Sequence, residues 1–259
     1  MVTTSPSSPP ERTGSWEDSI GTNRRSEETA RRNHTPDEIL HALDYQVYAA
    51  LQLGRDVDAR AAVERMQTAG SYERAAGAFA LAAGPARYAM ERGDWKAAAQ
   101  LAPRQSPYPY ADAMTHFARA IGAARSGDAE SALKDATRLA ELRDEMTKRK
   151  DSYWADQVEA QRLAAQAWVA LAQGRKDEAL SVMRQSAELQ DKSEKAPVTP
   201  GYVGPSRELL GEMLLELKRP AEALKEFELA ASRDPNRLRT FQGAARAAAQ
   251  SGNKPVARD

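Results

Sequence analysis

The chain has 259 residues, Lys+Arg and Asp+Glu balanced at 37 each, no cysteine and a sequence pI near 6.9. Neutrality removes the long-range pull toward nucleic acid or an anionic membrane surface. The lack of cysteine removes disulfides and thiolate metal sites.

Residues 1–13, MVTTSPSSPPERT, are rich in Ser, Thr and Pro and hold no apolar run. They do not read as a secretory signal and are predicted to be a disordered lead-in. Residues 14–259 form the second unit, a helical repeat domain. Alanine is abundant there while Val and Ile are sparse, which favours helix over sheet. Helices are predicted over 16–32, 36–53, 56–68, 72–83, 86–92, 94–102, 110–126, 129–149, 152–173, 175–192, 206–218, 220–233 and 237–251, with no strand. Thr35-Pro36-Asp37-Glu38 has the spacing of a capping box with proline at the first helical position. Gly70-Ser71 is expected to end one helix and cap the next. The proline-broken segments 103–110 and 196–205 read as connections within one array. No apolar run is long enough to span a bilayer. With no signal segment either, the cytoplasm is the expected compartment.

The strongest pattern is a repeat. A glycine followed by a polar residue stands at Gly14, Gly54, Gly93, Gly127, Gly174 and Gly252, with Lys218 in the same role. Five residues later come Ser19, Ala59, Ala98, Ala132, Ala179, Ala257 and Ala223. The intervals between turns are 40, 39, 34, 47, 44 and 34 residues. Glycine ends a helix in the left-handed conformation without a Cβ clash. The small residue one turn into the next helix lets two helices approach closely. A bulky residue one turn later, such as Val63, Met183 or Phe227, fills the space beside it. The prediction is an all-α fold: an α-α superhelix of about five complete hairpins with incomplete ends.

The segment LLGEMLLELKRPAEALKEFELAASRDPN then carries a family resemblance. Leu210, Gly211, Leu214, Ala223, Phe227, Ala230 and Pro235 resemble a tetratricopeptide repeat, strongest over 206–252. Arg207 stands where that family has an aromatic, and Phe241 restores it in the next unit. The chain is similar to the C-terminal part of longer bacterial tetratricopeptide proteins. The resemblance implies a non-catalytic scaffold that binds a partner protein or peptide on a concave face lined by the first helix of each hairpin. Tyr48, Arg87, Trp168, Glu208, Glu212 and Arg246 are the candidate partner-binding residues, from their place on those helices. Tyr45 and Trp154 read better as filler between hairpins. The alternative is a fragment of a longer repeat-containing enzyme, or of a ligand or metal sensor, whose active part lies upstream.

Catalytic chemistry has no carrier in the sequence. His34, His41 and His116 lack the spacing of metal ligands, and no phosphate-binding glycine loop or nucleophile elbow is present. No enzyme activity, cofactor or metal is expected. The pairs Arg24-Arg25 and Arg31-Arg32 are offset by Glu27, Glu28 and Asp37, so no nucleic-acid partner is expected.

Overall fold

Twelve helices form among the described residues, 15–193 and 199–252 of the computed structural model. They are α1 (Trp16–Arg32), α2 (Pro36–Gln52), α3 (Asp56–Gln67), α4 (Ala75–Glu91), α5 (Trp95–Ala99) and α6 (Pro109–Arg125). Then follow α7 (Ala129–Lys148), α8 (Ser152–Ala172), α9 (Lys176–Asp191), α10 (Ser206–Glu216), α11 (Pro220–Arg233) and α12 (Leu238–Ser251). Among these residues there is no strand, and no helix is long and apolar enough to cross a membrane. The lead-in 1–13, Gly14 and Ala257 lie outside the described residues.

The repeat logic holds at each turn that can be inspected. Gly54, Gly93, Gly127, Gly174 and Gly252 all have positive φ, and Lys218 takes the same conformation at φ 61°. A lysine there bears the Cβ strain that glycine avoids. The polar residue after the turn caps the next helix where it is aspartate: Asp94 and Asp128 accept from the Ala97 and Ser131 N–H groups. Ala59, Ala98, Ala132, Ala179 and Ala223 are fully buried, and Ser19 is buried in the equivalent place. One turn on, Met183 and Phe227 are buried and Val63 is partly so. Close approach is visible at Phe227, where a Cβ added to Gly211 or Gly243 would come within 2.7 or 2.3 Å of its ring.

The even-numbered helices make the inner layer. In order, α2 packs on α4, α4 on α6, α6 on α8, α8 on α10 and α10 on α12. Each odd-numbered helix from α3 onward packs on the even helices either side of it, and α1 packs on α2. The fold is an all-α solenoid with five complete hairpins among the described residues. It also closes on itself, because α12 touches α2. Trp16 Nε1 donates to the Asn236 carbonyl at 2.7 Å, and the Leu238 N–H donates to Gln52 Oε1 at 3.0 Å.

Three local expectations are corrected. The segments 72–83 and 86–92 form one helix, α4, that runs through Pro85. The lost hydrogen bond is outweighed by packing: Gly84 lies so close to Met66 that a Cβ would come within 2.5 Å of its sulfur. Ser71 does not cap α4, which begins at Ala75 after Arg74. The Thr35 capping box does not form either, since the Thr35 hydroxyl donates back to the Ala30 carbonyl at 3.2 Å. Asp37 instead accepts from the Glu73, Arg74 and Gly77 N–H groups at 3.0, 3.0 and 3.2 Å, capping the neighbouring α4. Arg207, in the place of the missing aromatic, is held by Asp191 and Glu226 at 2.6 and 2.5 Å.

Candidate functional site

Closure of the inner layer decides which of the six candidate residues a partner could touch. Five of them, Tyr48, Arg87, Trp168, Glu208 and Glu212, are buried, and Arg246 is exposed. All six lie on even helices, as expected, but an open concave face carrying them all is not what forms. Helical spacing placed them on the correct layer. The layer is filled because the array returns on itself and a loop covers part of it.

The first group is sealed. Arg237, at the start of α12, donates to Tyr48 Oη at 2.5 Å, to Glu208 Oε1 at 2.6 Å and to Glu91 Oε1 at 2.6 Å. Arg87 donates to Asp44 at 3.1 Å and to the carbonyls of Tyr202 and Gly201 at 3.1 and 2.5 Å. Both guanidinium groups lie over the Tyr48 ring, at 5.0 and 5.4 Å from its centroid. Burial raises the Tyr48 hydroxyl well above the ordinary tyrosine range. Burial also raises the Asp44 carboxyl, against the pull of Arg87. Burial works against the Arg237 charge too, but Glu208 and Glu91 overcome it and hold that guanidinium protonated. Tyr48, Arg87 and Glu208 therefore tie α2, α4, α10 and α12 together and are not available to a partner.

The second group opens to solvent at the C-terminal ends of α4 and α6, beside α10 and α12. A cavity of about 590 Å³ lies there, lined by Trp95, Arg125, Glu212, Glu216, Arg239 and Arg246 among others. Glu212 accepts from both Arg125 and Arg239. Burial opposes its charge, yet the two arginines outweigh that and lower its pKa. Glu216, 2.7 Å from Arg125, is shifted up by burial and by repulsion from Glu212. The Arg125 guanidinium is stacked between two indoles, 4.0 Å from Trp95 and 4.2 Å from Trp168. Trp168 thus floors the cavity through Arg125 without lining it. Arg246 stands at the rim and donates to the Gln242 carbonyl at 3.3 Å.

Sequence reasoning missed Trp95, Arg125, Arg239 and Arg237. Trp95 begins the short α5, just after the Gly93-Asp94 turn. Arg125 sits just before the Gly127 turn. The signal that could have found both is position at the turn end of an inner helix, where side chains from several hairpins converge. Two of the three histidines take structural places: His116 Nδ1 is 2.6 Å from Asp135 Oδ1, and His41 meets the Tyr45 ring edge-on, while His34 is exposed. Among the described residues no group of three His, Asp or Glu side chains converges as a metal site.

Comparison with known proteins adds little. No family model matches the chain, and no curated protein matches it either. Among solved structures it is similar to the crystal structure of a de novo designed helical repeat protein, with 18% identity over 93% of this chain and 95% of that one. The TM-score is 0.29, so the superposition is loose and says nothing of function. The assignment as a helical repeat protein rests on the hairpin packing described above.

Proposed function

We propose that this chain is a non-catalytic scaffold of the tetratricopeptide type, which takes a segment of a partner protein in the cavity rimmed by Arg246. The observation that carries the reading is that cavity, with polar and aromatic side chains from five helices turned toward one open space. Such a preformed concavity with a few placed polar groups is what a binding site requires. The tetratricopeptide assignment is supported by the small-bulky-small stripe Ala223, Phe227 and Ala230, buried throughout and pressed against Gly211 and Gly243. In this reading Arg246 and Glu212, which line the cavity, meet the partner, and Trp168 supports Arg125 from beneath.

The test is capture of partners by the immobilised chain. Arg246→Glu reverses the rim charge at an exposed position, while Lys134→Glu does the same on α7, far along the outer layer. Loss of the same partner with the first variant and its retention with the second is expected. A partner retained equally by both contradicts the assignment to this cavity.

A further inference from the structure

Nearly every charged group that lines the Arg246 cavity already has a counter-charge. Glu212 lies between Arg125 and Arg239, and Glu216 sits on Arg125. Glu91 belongs to Arg237 at 2.6 Å, and Arg92 to Asp56 at 2.6 Å and Asp94 at 3.7 Å. Arg239 also donates to the Met90 and Glu91 carbonyls at 3.0 and 3.1 Å. Arg246 is different. Among the described residues its guanidinium meets no carboxylate, and its hydrogen bond to the Gln242 carbonyl only reaches one turn back along its own helix. Helix α12, LRTFQGAARAAAQS, has two arginines and no acidic residue, so the helix itself offers no counter-charge. Gln242, also exposed, lines the cavity one turn before Arg246 and adds a side-chain amide to the same rim.

The α10 rim has the opposite sign. Glu216 is half exposed there, and its charge is opposed by burial and by Glu212. Each rim charge has an apolar neighbour that also lines the cavity, Ala245 before Arg246 and Leu215 before Glu216, and the Trp95 indole adds to this apolar lining. The cavity therefore presents one uncompensated cation, one carboxylate that tolerates no further negative charge, and apolar surface beside both.

We propose that the partner segment held by this cavity carries a single carboxylate next to an apolar side chain. The carboxylate accepts from Arg246 and the Gln242 amide, and the apolar side chain lies against Ala245 and Leu215. Charge complementarity selects this class. A carboxylate gains a charge-assisted hydrogen bond from Arg246 without breaking a pair already made. A cationic segment would face the unpaired Arg246 and find the Glu212 carboxylate already held by two arginines. A run of acidic residues would bring a second carboxylate toward Glu216. The proposal rests on the scaffold reading and gives the Arg246 cavity its ligand class.

The experiment offers a random library of heptapeptides, acetylated and amidated so that every carboxylate is a side chain, to the immobilised whole chain. Bound peptides are identified by mass spectrometry for the wild type, Arg246→Gln, Glu216→Gln and Lys134→Gln, the last being an exposed control on α7. Arg246 and Glu216 are exposed, so these variants should keep the wild-type circular dichroism melt. Peptides with one Glu or Asp beside a large apolar residue should be enriched by the wild type and by Lys134→Gln. The best of them should bind about fivefold weaker or more to Arg246→Gln, and equally so when its acidic residue is replaced by the amide. In Glu216→Gln a second acidic residue should cease to be disfavoured. No enrichment of acidic peptides, a preference of the wild type for acidic runs, or an enrichment unchanged in Arg246→Gln overturns the proposal. If partner capture depends on Arg246 while the library shows no acidic preference, the scaffold reading stands and this proposal falls.

Discussion

Two arginine clusters on the inner helices look alike in sequence and differ in consequence. Around Arg237, two carboxylates, a tyrosine and the guanidinium are all sealed from water. Around Arg125 and Arg239, the shared carboxylate of Glu212 is buried but the cation rims an open cavity with Glu216 half exposed. The first cluster joins the ends of the array, since Arg237 immediately precedes α12 and Tyr48 belongs to α2. The second faces the space that closure leaves over. Burial, and not residue type, separates the arginine that joins the ends of the array from those that border open space.

That contrast is most sharply tested by removing each cation in turn. Arg237→Met leaves Glu208 and Glu91 buried without a counter-charge and should cost about 3–5 kcal/mol of stability in urea melts. Arg125→Met also strips a partner from Glu212, but Arg239 remains and water can enter, so a cost of about 1–3 kcal/mol is expected. Equal losses in the two variants would erase the distinction between the clusters.

The acid limb of stability sharpens it further. The folded pKa of Glu212 lies below its ordinary value of 4.5, held down by Arg239 and Arg125 against burial. Its contribution is therefore complete above that ordinary value and lost as pH falls through the folded pKa. Glu216 on the same arginine is shifted the other way and works against folding at neutral pH, with relief on protonation. Glu212→Gln should flatten the fall of the urea midpoint below pH about 4.5, whereas Glu216→Gln should raise stability near neutrality. The smallest effect is expected at a turn: Lys218→Gly relieves left-handed strain and should stabilise by about 1 kcal/mol or less, seen as a small rise in Tm.

The hairpins were legible because their determinants are local. A glycine turn and an alanine five residues on fix a bend and a close contact within one short stretch, and the buried Ala59, Ala132, Ala179 and Ala223 follow from it. Helix α4 was split wrongly because Pro85 breaks helices by local rule, while Met66 against Gly84 is a tertiary contact. The site was harder to read. Spacing put Tyr48, Arg87, Trp168, Glu208, Glu212 and Arg246 on the inner layer, but whether that layer stays open depends on pairs such as Trp16–Asn236 and Tyr48–Arg237, 220 and 189 residues apart. No local pattern encodes such a meeting. Tyr48 and Trp168 therefore ended in the core, and Trp154, read as filler, packs between hairpins against Tyr110 of α6 and Phe79 of α4.

Closure of the array is the claim on which the Arg246 cavity depends, since α12 forms one of its walls. The sequence has no cysteine, so a pair can be placed without background: Gln52→Cys on α2 and Leu238→Cys on α12, where the Gln52 side chain now accepts from the Leu238 N–H. Treatment of the dilute monomer with a short bis-maleimide, followed by peptide mass analysis, should give a high yield of intramolecular cross-link between the two positions. A chain that stays uncross-linked, or links only between molecules, would show the two ends apart and contradict the closed inner layer.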